Sequence, residues 1–311
     1  MKLEGIHHIT AITGNAPRNV DFYARVLGLR LVKQTVNQDD PTVYHLFYAD
    51  EDGSAGADLT FFEYPGARPG RAGAGMIHTI VHRVASEDSL HFWAARLGAE
   101  AIRTERAERS LRFTDPEGLG HELVVAQTAD RPLVAYSSEV PDEHALQGFE
   151  AVRAYVRDPA RSEPLLRDAL AFEETGRHDW EARGSSRGGR IVLDGHDERG
   201  IPGAGTVHHV AWASPMDEHE AWRERVIEAG ARPTEVIDRF YFRSVYFREP
   251  GGVLFELATI GPGFTADEPL ETLGERLSLP PAYEPLRDKV EKILTPLPDT
   301  RQWRRAPVTA E

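Results

Sequence analysis

Two pairs of adjacent histidines, His7-His8 and His208-His209, stand in short, β-branched segments far apart in the chain. A carboxylate, Glu256, lies in the apolar run Val253-Leu254-Phe255-Glu256-Leu257-Ala258. Burying a carboxylate is costly unless it is paired or binds a metal. Two neutral imidazoles and one carboxylate make the facial triad of non-haem Fe(II) oxygenases, which leaves positions open for substrate and O2 together. Neighbours on a strand point to opposite faces, so one histidine of each pair can face a shared interior. Aligning Gly5 with Gly75 sets His8 against His78, and aligning Ile6 with Val207 sets His8 against His209. The expected metal set is therefore His8, His209 and Glu256.

The elements that must position these residues recur along the chain. Gly5–Thr10 reads as a strand, and Ala16–Gly28 as a helix with Val20, Tyr23, Ala24 and Leu27 on one face and Gly28 as its stop. Strand-like stretches follow at Thr42–Tyr48 and Ala57–Tyr64. The order repeats from Gly75, with a helix over Ser86–Leu97, and again from near Gly148, with a helix over Ala160–Ala171. A fourth copy starts at Gly205, with a helix over Asp217–Ala229 and closing strands at Arg243–Arg248 and Gly252–Thr259. Each copy reads β-α-β-β-β, and one such unit cannot bury its sheet face alone, so units must pair. The expected class is α+β, four βαβββ units in two domains. Residues 1–127 would hold two units, 128–146 a linker, 147–260 two more units, and 261–311 a Pro-rich tail with one helix over Tyr283–Leu294.

Composition narrows the function. The chain has 311 residues, 41% of them hydrophobic and 28% charged, no cysteine and a formal charge of −14. That rules out thiolate chemistry and disulfides, and it lacks the basic balance of a nucleic-acid binder. No apolar run approaches the roughly 18 residues of a membrane helix, and the N-terminus has no signal-peptide core. The expectation is a cytoplasmic protein acting on a small molecule, without nucleic-acid or membrane partners. A homo-oligomer would fit the need to cover open sheet edges.

The chain resembles the vicinal oxygen chelate superfamily and, within it, the hydroquinone-type ring-cleaving dioxygenases. The resemblance spans nearly the whole chain. It is carried by Leu3–Thr10, Asn19–Tyr23, Leu27–Asn37, Tyr44–Tyr48 and, most specifically, Gly205–Ala211 and Asp238–Gly252. It implies βαβββ units curled into open barrels. It implies Fe(II), with Mn(II) as the alternative ion, and a small aromatic diol and O2 as reactants. The ligand positions match His8, His209 and Glu256, and His7, Thr10, His208, Arg239 and Tyr246 match positions that support catalysis around the metal. Arg239 would stabilise developing negative charge, and Tyr246 would orient the substrate oxygen or relay a proton. A competing, glyoxalase-like set would use His8, Glu63, His78 and Glu122 from units one and two, with the metal as Lewis acid and no O2. An aromatic-ligand binding protein of the same fold is a third reading.

Overall fold

The computed structural model describes residues 1–305. Unit one supplies β1 (Ile6–Thr13), β2 (Arg30–Asn37), β3 (Asp40–Ala49) and β4 (Asp58–Glu63). Unit two supplies β5 (Met76–Val84), β6 (Glu105–Arg106), β7 (Ser110–Thr114) and β8 (Gly120–Val125). Unit three supplies β9 (Phe149–Val156), β10 (Glu173–Gly176), β11 (Asp179–Arg183) and β12 (Gly188–Gly195). Unit four supplies β13 (Thr206–Ser214), β14 (Ile237–Asp238), β15 (Arg243–Arg248) and β16 (Leu254–Thr259). Every unit opens on a glycine with positive φ, namely Gly5, Gly75, Gly148 and Gly205. Any side chain would be strained in that conformation, and at Gly5 a Cβ would also lie 2.7 Å from the Gly188 backbone.

The strands form two eight-stranded sheets, ordered β14-β15-β16-β13-β1-β4-β3-β2 and β10-β11-β12-β9-β5-β8-β7-β6. The first sheet joins units one and four, and the second joins units two and three. The two units within 1–127 thus lie in different sheets, as do the two within 147–260, because the first strands pair antiparallel across the halves, β1 with β13 and β5 with β9. Segments before β5 and β13 also touch, through the bridges Pro69↔Ala204, Arg71↔Ile201 and Ala74↔Arg199. Tryptophans 93, 180, 212 and 222 and many aliphatic side chains fill the main core.

The helices differ by unit. Units two and four carry regular helices, α1 (Glu87–Ala99) and α2 (His219–Glu228), while the helices of units one and three include π-type turns at Asp21–Val26 and Leu165–Ala169. The tail forms a 3-10 turn at Glu284–Leu286 and a short helix at Arg287–Val290, shorter than the Tyr283–Leu294 expected. The tail straps β2, the edge strand. Ser278 N–H donates to Gln34 O, and buried Lys33 pairs with Asp267 at 2.8 Å and with Glu268. The bare edge of a strand invites non-native pairing, and the strap removes it.

Candidate active site

The register of the first sheet brings the expected donors together. On one side of β13, His8 of β1 pairs with Ala211; on the other, Ala211 pairs with Glu256 of β16. Ala211 carries only a methyl group on the site face, so His8 and Glu256 can reach one another over it. His209 lies two residues from Ala211 and therefore on the same face. Glu256 Oε2 lies 3.1 Å from His8 Nε2 and 2.9 Å from His209 Nε2, and the two Nε2 atoms are 3.3 Å apart. All three side chains are buried.

Both pairs of histidines sit at β-bulges. Between the ladder pairs Ile6↔Trp212 and His8↔Ala211 the extra residue on β1 is His7. Between Thr10↔His209 and Ala11↔Val207 the extra residue on β13 is His208. A bulge re-aims a side chain, and here each extra histidine turns back on the next one. His7 Nδ1 lies 2.9 Å from His8 Nδ1, and His208 Nδ1 lies 2.8 Å from His209 Nδ1. His7 Nε2 lies 3.2 Å from Thr259 O, so it carries the proton and donates. His7 Nδ1 is then an acceptor, His8 Nδ1–H donates to it, and His8 Nε2 presents a lone pair to the shared point.

Electrostatics agree with a demand for positive charge. Burial would push the Glu256 carboxyl up, but His8 and then His209 outweigh it and hold the carboxyl far below its usual range. Apart from the two imidazole nitrogens that face Oε2, neither of its buried oxygens has a hydrogen-bond partner. Burial, helped by His8, lowers His7 to about 3 and keeps it neutral. An anionic carboxylate without other hydrogen bonds, facing two imidazole nitrogens, fits a divalent first-row ion.

These donors open onto a cavity of about 330 Å³, walled by Phe47, Phe62, Tyr241 and Phe242. His208, Arg239 and Tyr246 also line it. Tyr246 pairs with Glu256 across the ladder, and its ring lies edge-on to His209 with centroids 5.6 Å apart. Burial first, then Glu256, raise the Tyr246 phenol; Arg239 opposes without prevailing, so the hydroxyl stays protonated. Arg239 lies over that ring at 5.5 Å and is clamped by Asp39 through bonds of 3.0 and 2.9 Å. The turn that presents it runs through Phe240 at φ 71°, with Asp238 Oδ1 accepting from Phe240 N–H. A left-handed, bulky residue costs about 1–3 kcal/mol, a strain this turn bears to aim its neighbours.

Thr10 is placed differently. Two residues from His8 on β1, it shares the site face but is fully buried and off the cavity lining, where it accepts from the Thr60 hydroxyl at 2.8 Å. The competing donor set does not assemble. His78 and Glu122 belong to the second sheet, where His78 bonds Asp194 at 3.0 Å and Glu122 pairs with Arg112 at 3.2 Å. Glu63 accepts from Ala16 N–H at the start of the first helix. The second sheet repeats the bulge, with His78 as the extra residue of β5, so His78 is the counterpart of His208, with Thr79 standing where β13 has His209. Aligning glycine to glycine hides that shift of one residue. Several polar cavity-lining residues, Thr35, Asp39 and His45 among them, received no role from the sequence, because a lone polar residue in a strand or turn carries no spacing signal.

The profile of the Glyoxalase/Bleomycin resistance protein/Dioxygenase superfamily matches residues 5–123 and 148–257. A Bacillus subtilis (strain 168) protein named "Putative ring-cleaving dioxygenase MhqO" is 40% identical over 307 residues, covering 95% of this chain and 97% of that one. The "Chlorohydroquinone/hydroquinone 1,2-dioxygenase" of Sphingobium indicum is 34% identical over 313 residues, covering 94% and 96%. A crystal structure described as a "putative dioxygenase from Bacillus subtilis subsp. subtilis str. 168" superposes with a TM-score of 0.88 at 39% identity, covering 96% of this chain and 98% of that one. With the two superfamily segments, the full-length matches and the paired βαβββ sheets in agreement, the chain belongs to the glyoxalase/bleomycin resistance protein/dioxygenase superfamily as an enzyme of the ring-cleaving dioxygenase type.

Proposed function

We propose that this enzyme opens the ring of a hydroquinone- or catechol-type aromatic diol with O2, at Fe(II) held by His8, His209 and Glu256, with Mn(II) as the alternative ion. The observation that carries the reading is the convergence of two imidazole Nε2 atoms and one buried carboxylate, itself without other hydrogen bonds, at the floor of an aromatic-walled cavity. When bound, such an ion acidifies a substrate hydroxyl and links the ring electronically to O2.

The chain's own residues do the rest. Phe47, Phe62 and Phe242 give apolar contact to a flat ring. Tyr246, kept protonated, donates a hydrogen bond to the substrate oxygen beside the ligands and can return a proton to it. Arg239 holds Tyr246 from above, and its own charge is largely answered by Asp39, so its part is to orient the phenol and steady charge growing at the ring oxygen. His7 and His208 fix the tautomers of His8 and His209.

Metal analysis of freshly purified protein, followed by an oxygen-electrode trace with hydroquinones and catechols, tests the reading. Bound iron and O2 uptake on adding a diol are expected. Bound zinc or nickel, with activity under nitrogen, would replace it by Lewis-acid chemistry with Glu256 as base. No bound metal and no turnover would leave an aromatic-binding protein.

A further inference from the structure

The wall of the cavity formed by β2 and β3 carries polar groups that the chemistry above leaves unused. Thr35 of β2 and His45 of β3 face each other across the ladder, and both line the cavity. The Thr35 hydroxyl is buried and has no hydrogen-bond partner. The His45 ring is held between Phe47 and Phe62, with centroids 3.9 and 4.4 Å away. Its Nε2 lies 2.9 Å from Thr60 Oγ1, which in turn donates to Thr10 Oγ1 at 2.8 Å. Since the Thr60 proton is committed to Thr10, Thr60 accepts from His45 Nε2–H, and His45 Nδ1 is left as a bare acceptor. Burial, then the neighbouring His8, His209 and Arg239, keep this imidazole neutral against the opposing pull of Glu256.

We propose that Thr35 and His45 form a distal polar subsite that takes the second hydroxyl of a 1,4-diol, with His45 Nδ1 accepting its hydrogen bond and Thr35 offering a partner to the same oxygen. The subsite rests on the reading that the first hydroxyl binds at His8, His209 and Glu256. The placement selects the para isomer. In the strand order β4 separates β1 from β3, and the register sets His45 level with Ile12, so His45 stands two strands over and four residues along from His8, its ring reaching back to Thr60, level with Thr10. The oxygens of a 1,4-diol lie at opposite ends of the ring and can meet both groups. Those of a 1,2-diol lie side by side, and a catechol anchored at the metal donors would leave Thr35 and His45 facing hydrocarbon, with the loss that an unpaired polar group entails. The relay through Thr60 also gives Thr10 a part, as the anchor of the His45 tautomer.

The test is anaerobic equilibrium binding of hydroquinone, phenol and catechol to the metal-loaded protein, with metal content measured in parallel. The wild-type protein is expected to bind hydroquinone about tenfold more tightly than phenol, the scale of one buried hydrogen bond, and more tightly than catechol. His45→Phe keeps the stacked ring without its nitrogens, and Thr35→Val keeps the volume without the hydroxyl. Each should erase most of the hydroquinone-over-phenol preference while leaving phenol affinity and metal content unchanged. A preference that survives in both variants, or a wild-type protein that binds catechol at least as tightly as hydroquinone, overturns the subsite. Binding is read without turnover, so a failure of ring cleavage itself shows separately, as absent O2 uptake with every diol.

Discussion

Glu256 is level in the sheet with both Ala211 and Tyr246, so a change there touches the proposed ligand set and the proposed proton donor at once. Glu256→Ala or His209→Ala is expected to abolish iron retention while leaving the fold intact, as read by metal analysis and circular dichroism, because two remaining ligands hold a ferrous ion weakly. Retained stoichiometric iron in either variant would move the centre elsewhere. His7→Phe and His208→Phe test the bulge histidines. Loss of the partner that fixes a ligand's tautomer usually costs 10–100-fold in metal affinity, so each variant should bind iron more weakly by about that factor in a chelator competition; unchanged affinity would reduce both to packing. Tyr246→Phe should keep its iron and slow turnover by roughly 10²–10⁴-fold, the scale of a positioned proton donor. Much of this was legible in the residues. Repetition marked His8 and His209, and an apolar setting marked Glu256. Arg239 and Tyr246 came from resemblance alone, and the structure does set both on the cavity. Thr10 came the same way and lies buried off the cavity lining, bonded to Thr60. Thr35 and His45 fell within segments that carried the resemblance but were given no role, since what distinguishes them is a neighbour on another strand.

Strands and their edges decide where those side chains point. The first strand of every unit was readable from its glycine and its β-branched run, whereas β2 was not. Its alternation is interrupted by Lys33, which is fully buried, and by an irregularity in its pairing with β3 between Leu31 and Lys33. What makes a buried lysine tolerable lies more than 200 residues further on, in Asp267 and Glu268 of the tail. Short edge strands β6, β10 and β14 were equally silent, being two to four residues of mostly polar sequence. Lys33→Met would leave Glu268 buried without its cation. Breaking such a pair costs about 3–5 kcal/mol, to be seen as a lower urea midpoint. The double variant Lys33→Met with Glu268→Met should recover most of that loss. If the single variant is as stable as the parent, the strap does not hold β2 in place. The contact matters for function as well as stability, because the tail's Tyr283 donates to Gln38 O, and Gln38 lines the cavity.

Taken whole, the molecule is one sheet that carries the candidate site beside a second of the same design. In the second sheet Glu122 pairs with Val81 as Glu256 pairs with Ala211, but Thr79 and Ala151 occupy the places of His209 and His8. Glu122 thus has no imidazoles at the matching places and is answered by the half-exposed Arg112. Glu122→Ala and His78→Ala are therefore expected to leave iron content and turnover unchanged, with at most about 1 kcal/mol lost in stability for exposed or part-exposed pairs. Loss of iron in either would return the second sheet to the chemistry. The four-unit plan could be read from the repeat, whereas the partnership of units one and four followed only from the donor set His8, His209 and Glu256, because every unit carries the same pairing signal on its first strand. The crosswise partnership also sets an order in time. His8 and His209 are 201 residues apart, and Glu256 is made later still. A growing chain that has finished its second unit owns one imidazole of the three donors and must hold β1 without its mate until β13 arrives. Synthesis runs at roughly 5–20 residues per second, so that wait lasts on the order of ten seconds or more. On the proposed centre, a bound ion would mark a finished polypeptide: chains cut short anywhere before β16 would lack Glu256, the last of the three donors.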